Sequence, residues 1–284
     1  MQPATCARLS DGRLHCQHGP ITVFIEAWGD AGEIERAHAQ AAARFRTILE
    51  ELVRELPMLR TPVGEVKPIF EGDVARRMAD AVWPHRPVFV TPMAAVAGAV
   101  ADEVLAALIR DRSLTKAIVN NGGDIAFHLA AGSRLATGVV ADIAAPALDA
   151  ISAIDAASPV RGIATSGWRG RSHSLGIADA VTVLARTAAD ADAAATLVAN
   201  AVNADHPAIV RAPAKSLRED SDLGDRLVTV DVPPLPPARV DAALAAGAAC
   251  AEHMRARGLI ECALLVLQGR ARSVHRAAPL VRAA

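Results

Sequence analysis

Asn120-Asn121-Gly122-Gly123-Asp124 sets two glycines among amide and carboxylate side chains. Glycine reaches positive φ without a Cβ clash, so such a turn can leave backbone N–H groups open to a ligand oxygen. Asn121, Gly122, Gly123 and Asp124 are therefore candidate cofactor-binding residues, with side chains suited to a base, a ribose or a metal. A plain hairpin turn would use the same residues. Gly162-Ile163-Ala164-Thr165-Ser166-Gly167-Trp168 offers a second cluster. A strand ending in Thr165, Ser166 and Gly167 supplies two hydroxyls and free amides at one point, which suits a phosphate; a strand-end turn explains it equally.

The stretch Arg169-Gly170-Arg171-Ser172-His173-Ser174 follows. It would meet a phosphate or simply be solvated. His173 is the candidate catalytic residue, because imidazole exchanges protons near neutral pH; an exposed structural histidine is the alternative. Asp192, Thr196 and Asn200 are spaced i, i+4, i+8, so they project from one helix face among alanines. Carboxylate and hydroxyl oxygens are what Mg²⁺ prefers, which makes Asp192 and Thr196 the candidate metal ligands. A capping Asp and a Thr bonded to its own helix backbone would look the same. Cys16 with His18, and Cys250 with His253, are only fragments of a zinc site, with no CxxC pair to complete them.

The elements that must carry these residues follow from periodicity. Asp11-Gly12 centres a hairpin, and Ile21 to Ala27 alternates as a strand. Asp30 caps a helix from about Glu33 to Glu55, and a second helix lies near Gly72–Trp83. Val88-Phe89-Val90 is expected as a short strand leading into a small-residue helix over 95–110. A strand, a Gly-Gly turn and a strand come next. Strands at Arg161–Thr165 and Ala180–Ala185 precede a helix over 189–202. Residues 206–225 read as an exposed loop, and a helix over 238–257 precedes a last hairpin. That final helix–strand–turn–strand echoes the segment around Gly98 and Gly123, with Gly269 where Gly122 or Gly123 would be; it reads as an internal duplication.

The 284 residues are 52% hydrophobic but 3% aromatic, so the core must be built from Ala, Val, Leu and Ile on closely packed elements. A net charge of −1 argues against a general nucleic-acid or anionic-membrane binder. The start of the chain has no apolar signal-peptide core, and no charge-free apolar run reaches a membrane span. The expectations are a cytoplasmic protein with reduced thiols and no nucleic-acid or membrane partner.

Taken together the segments resemble the ApbE-like superfamily. Its pattern K-G-x-x-x-D, Gly-Gly-Asp, A-T-S-G, V-T-V, A-D-A-x-x-T is met in order by Ala97-Gly98…Asp102, Gly122-Gly123-Asp124, Ala164-Thr165-Ser166-Gly167, Val181-Thr182-Val183 and Ala191-Asp192…Thr196. The phrase around Pro92–Asp102 and the run Thr165–Val183 are similar to an uncharacterised ApbE-like branch. The resemblance is strong over residues 88–202. It implies an α+β, T-fold-like architecture with largely antiparallel sheet and packed Ala-rich helices. It also implies FAD as substrate or ligand, Mg²⁺ as cofactor, and transfer of FMN from FAD to an acceptor protein. Asp192 and Thr196 match that family's metal ligands, a carbonyl near Val96 or Ala97 would join them, and Gly98 would approach the nucleotide.

This sequence departs from the pattern in two places. Ala97 stands where the family has Lys, and the family's His-x-x-Asp-Pro segment after T-S-G is missing. Two other readings therefore stay open: a T-fold enzyme or binding protein for another purine- or pterin-like ligand, and a non-catalytic cofactor-binding or assembly protein. The expected organisation is one ApbE-like domain over 1–284, with an N-terminal part (1–87), a motif-bearing core (88–202) and a C-terminal part (203–284). A homodimer is a candidate assembly. The site is expected where the segments around Gly98, Gly123, Gly167 and Asp192 meet.

Overall fold

The structure, a computed structural model, describes residues 3–139, 150–170 and 172–275; Arg171 of the basic stretch lies outside them. The chain begins with β1 (Thr5–Arg8), β2 (Leu14–His18) and β3 (Ile21–Gly29). Helix α1 (Ala31–Leu59) follows, and the Asp30 carboxylate caps it by accepting Gly32 N–H at 2.8 Å and Glu33 N–H at 3.4 Å. Ala37, Ala41, Phe45, Ile48 and Leu52 recur at helical spacing on its buried face. Helix α2 (Asp73–Val82) ends before Pro84, and a single turn at Pro92–Ala95 leads into α3 (Val96–Ile109). The strand expected at residues 88–90 is irregular chain instead. Val90 is buried and its C=O accepts Val63 N–H at 2.9 Å, while Val88 is exposed.

Then come β4 (Leu114–Asn121) and β5 (Asp124–Leu129), followed by β6 (Arg134–Val139), β7 (Ala150–Asp155), β8 (Gly162–Ser166) and β9 (Ala180–Ala185). Helix α4 (Ala188–Ala201) precedes β10 (Val210–Pro213), the single turn α5 (Ala214–Leu217) and β11 (Leu227–Asp231). The loop expected over 206–225 thus contains a strand, which pairs with β11 across a register shift. Helix α6 (Pro237–Ala256) and the hairpin β12 (Cys262–Leu267), β13 (Arg270–His275) complete the described chain.

The chain divides into two compact units. The first comprises Met1–Leu135, Ala153–Ala164 and Ala185–Asp192; the second comprises Ala136–Ser152, Thr165–Leu184 and Ala193–Ala284. In the first unit the strands run in the order β1-β2-β3-β4-β5-β8, each neighbouring pair antiparallel. Val23, Ile25, Ala117, Val119 and Ala126 of this sheet are fully buried, and α1 and α3 pack on it. In the second unit β9-β12-β13 are antiparallel and α6 packs on the hairpin. The architecture is α+β with mostly antiparallel sheet, as the hairpin pattern requires.

Each unit contains one helix–strand–turn–strand segment: α3-β4-β5 in the first, α6-β12-β13 in the second. Both hairpins close with two residues at positive φ, Gly122 (67°) and Gly123 (111°) in one, Gln268 (47°) and Gly269 (74°) in the other. The register, Asn121 opposite Asp124 and Leu267 opposite Arg270, makes Gly269 the counterpart of Gly123.

The thiol expectation is corrected. Cys6 and Cys16 form a disulfide, while Cys250 and Cys262 are free. The β1–β2 hairpin, whose register is centred on Asp11, places Cys6 directly opposite Cys16, with Cα atoms 4.1 Å apart. Pro92–Ile109 is apolar and long enough to cross a membrane by composition, yet it carries Asp102 and Glu103 and 61% of it is buried inside the protein, as in a core helix.

Candidate functional site

Helices α3 and α4 exchange carboxylates in the first unit. The Asp102 side chain leaves α3 and accepts the first two N–H groups of α4, Ala188 at 3.0 Å and Ala189 at 2.9 Å. Asp192 leaves α4, and its Oδ2 accepts Gly98 N–H of α3 at 3.0 Å. The Ala97 N–H bonds the same carboxylate. Thr187 completes the start of α4, its hydroxyl accepting Asp190 N–H at 3.0 Å and its carbonyl accepting Ala191 N–H at 3.1 Å. The N–H groups that open a helix have no partner inside it, and here other parts of the unit supply one.

Gly98 makes the exchange possible. A Cβ there would lie 2.2 Å from Ala188 O and 2.7 Å from Ala189 N, both backbone. Small residues let the two helix starts come this close, which brings each carboxylate within reach of the other helix's amides. The Ala97 carbonyl accepts Asn121 Nδ2–H at 3.0 Å, which ties the end of β4 to the same point.

The electrostatics are strongly one-sided. Burial holds the Asp192 carboxyl well above the usual carboxylate range, the Asp124 carboxylate pushes it the same way, and the N–H bonds from Gly98 and Ala97 oppose them. Burial pushes Asp102 up to about 6, against its bonds from Ala189 and Ala188. Asp190 is also raised by burial. The Asp124 and Asp102 carboxylates both disfavour charge on Asp192, Asp124 more than Asp102. Among the described residues no group of three or more His, Cys, Asp or Glu side chains converges as a metal cluster. A cation here would depend on hydroxyl, carbonyl or phosphate oxygens as well.

Of the residues expected to form the site, Gly98, Asn121, Asp124 and Asp192 are brought to this corner of the first unit. Gly122 and Gly123 are exposed at the neighbouring turn, and nothing approaches the position of a Gly123 Cβ. The Gly123 N–H is taken by Asn120 Oδ1 at 2.9 Å, so that amide closes the hairpin.

Thr165, Ser166, Gly167, His173 and Thr196 belong to the second unit. The Thr165 hydroxyl is 2.8 Å from that of Thr182. Gly167 is required by packing, since a Cβ would lie 2.4 Å from Asp179 O. Asp179 in turn accepts Trp168 Nε1–H at 3.2 Å and Gln268 N–H at 2.6 Å, which organises the loop that carries partly buried His173. Asn200 continues the Asp192–Thr196 face, and its Oδ1 accepts Leu175 N–H at 2.9 Å. Burial raises the thiols of Cys250 and Cys262, the latter to about 11, which suits inert cysteines.

Sequence reasoning singled out Asp192 and passed over Asp102 as a site residue. The signal was present: Asp102 follows Gly98 by four residues, so both face the same way from α3.

Three comparisons place the chain among known proteins. A UPF0280 protein of Methanoregula boonei is 36% identical over 220 residues, covering 74% of this chain and 90% of that protein. A UPF0280 protein of Methanopyrus kandleri is 36% identical over 181 residues, covering 63% of this chain and 70% of that protein. The apo crystal structure of the flavinyl transferase ApbE of Pseudomonas stutzeri is 14% identical, with 95% of this chain and 93% of that one covered and a TM-score of 0.44. A family model described as AbpE bacteria matches residues 6–273, nearly the whole length, and the chain belongs to that ApbE-like family.

Proposed function

We propose that this chain is a Mg²⁺-dependent FAD-binding enzyme of the flavin-transferase type, which passes FMN from FAD to a hydroxyl of an acceptor protein. One observation carries the reading: the half-buried Asp192 carboxylate is held on the amides that open α3, with the buried Asp124 carboxylate near enough to disfavour its charge. A divalent cation in place of a proton would relieve the same repulsion, so the donor set fits a hard cation. Asp192 would hold it, with Asp124 near it and the Ala97 carbonyl available through its second lone pair; Thr196, the other ligand that the resemblance implies, belongs to the second unit. When bound, such a cation offsets the charge of a pyrophosphate and eases departure of the AMP leaving group.

The chain's own residues supply orientation. Gly98 and Ala97 N–H groups fix the Asp192 carboxylate, and Asn121 fixes the Ala97 carbonyl. The exposed Gly122-Gly123 turn leaves backbone beside the site uncovered for a nucleotide. Ala97 in place of the family's Lys, and the missing His-x-x-Asp-Pro segment, favour a second reading in which the chain binds a flavin or another purine- or pterin-like ligand without transferring it. Calorimetric titration of FAD in MgCl₂ and in chelator tests the first reading. Affinity should rise with Mg²⁺ in the wild type and stop responding in Asp192→Ala. Equal FAD affinity under both conditions sinks it. Mass spectrometry of an acceptor protein after incubation with FAD then separates transfer from binding.

A further inference from the structure

We propose that Asp102 is a positioning residue that sets the Asp192 carboxylate through the N-terminus of α4. The inference rests on the reading of Asp192 as a cation ligand. Asp102 acts on the backbone of α4: its two oxygens accept Ala188 N–H and Ala189 N–H. Ala188 and Asp192 are four residues apart in one rigid helix, so fixing the first residue of α4 fixes the height and rotation of Asp192. Asp192 then returns to the amides that open α3, the helix from which Asp102 came. The circuit closes through two helical turns and two carboxylates.

At the crossing itself the side chains are small. Gly98, Ala188 and Ala189 have no long side chains to interlock there, so the register of the two helix starts is read by backbone amides and carboxylates. The two acceptor oxygens of Asp102 resist both sliding and turning of α4, because two N–H groups on successive residues must be met together. Each carboxylate also lies at a helix N-terminus, where the helix dipole favours negative charge. A merely stabilising cap would lower global stability when removed and leave the aim of Asp192 in the folded protein unchanged.

The experiment compares wild type with Asp102→Asn, which keeps the size of the side chain but accepts only through one oxygen. FAD is titrated calorimetrically in MgCl₂ and in chelator, and amide hydrogen exchange is followed by NMR at Gly98, with Val119 in the central strand β4 as the reference for global opening. The expected result is that the Mg²⁺ enhancement of FAD affinity falls by about 10- to 100-fold, the usual effect of removing a group that orients a ligand. Exchange at Gly98 should accelerate relative to Val119. A folded Asp102→Asn protein with wild-type Mg²⁺ enhancement and unchanged Gly98 exchange overturns the proposal. A wild type without Mg²⁺ enhancement sinks the flavin and cation reading itself, and the exchange ratio still decides whether Asp102 sets Asp192. If Asp102→Asn does not fold, Asp102→Glu, which keeps the charge but overreaches by one methylene, is judged by the same two readouts.

Discussion

Asp192 gives its carboxylate to a helix other than its own: Oδ2 accepts the Gly98 amide at 3.0 Å, across 94 residues of sequence. The contact joins two of the five motifs that bear the family resemblance, and it depends on a glycine, since a Cβ at Gly98 would lie 2.2 Å from Ala188 O. Stability and site geometry therefore meet at one crossing.

Gly98→Ala should be severely destabilising. The Cβ would strike backbone on α4, which yields only if the helix moves, so a cost of about 3 kcal/mol or a failure to fold is expected. Gly64→Ala is the control, since nothing lies within 4 Å of a Cβ there and the change should stay within about 0.5 kcal/mol. Urea unfolding midpoints of the two variants check the contrast.

Asp102 should make the protein lose stability as pH rises. Its carboxyl is raised from 3.8 to about 6 in the folded state, so between those values the folded state binds more protons than the unfolded chain. The contribution is fully present below pH 3.8 and is lost by about pH 6, amounting to at most about 3 kcal/mol. Asp102→Asn should flatten this part of the curve. Urea midpoints for both proteins at pH 4, 5, 6 and 7 measure it; parallel curves would show that Asp102 does not titrate in this window.

The Cys6–Cys16 disulfide should be detectable without functional assay. Alkylation of the unfolded, unreduced chain should label Cys250 and Cys262 only, and reduction should expose two more thiols. Replacing both Cys6 and Cys16 by Ser should cost about 2–3 kcal/mol, the entropy scale for releasing so short a loop. Four labelled thiols before reduction would refute the pairing.

Glu103 should matter more than a surface carboxylate. It is 5% exposed and receives Arg44 Nε at 2.8 Å and Arg77 Nε at 3.0 Å, tying α1 and α2 to α3. Glu103→Ala would leave Arg44 partly buried with only Glu51 opposite, and a loss of about 2–3 kcal/mol is expected. Glu35→Ala, in an exposed pair with Arg8, should cost well under about 1 kcal/mol, and thermal unfolding of the two variants compares them.

Much of the fold was legible in residue order. Asp30 announced its cap, the apolar spacing announced α1, and the Gly-Gly and Gln268-Gly269 turns announced two hairpins with antiparallel partners. These features depend on neighbours within a few residues, where spacing and chemistry are set by the chain itself. The expected strand at 88–90 failed because β propensity needs a partner strand, and none was supplied to that segment. The disulfide was not legible: a turn centred on Asp11-Gly12 would set Cys6 opposite Gln17, and the register centred on Asp11, which faces Cys6 with Cys16, is fixed only in the folded hairpin.

The site was legible only in composition. Gly98, Asp124 and Asp192 were identifiable as chemistry-bearing residues, and the helix spacing put Asp192 and Thr196 on one face. Whether a carboxylate caps its own helix, another helix or nothing is decided by three-dimensional packing. Asp192 had a local alternative, capping its own helix, and the approach of α3 to α4 at Gly98 sent it and Asp102 across instead. The sequence by itself determined the elements, the turns and the small residues that permit close approach. Only the tertiary structure decided which amides the carboxylates meet and how much negative charge is buried at one point, because burial and long-range contact exist only once the chain has folded.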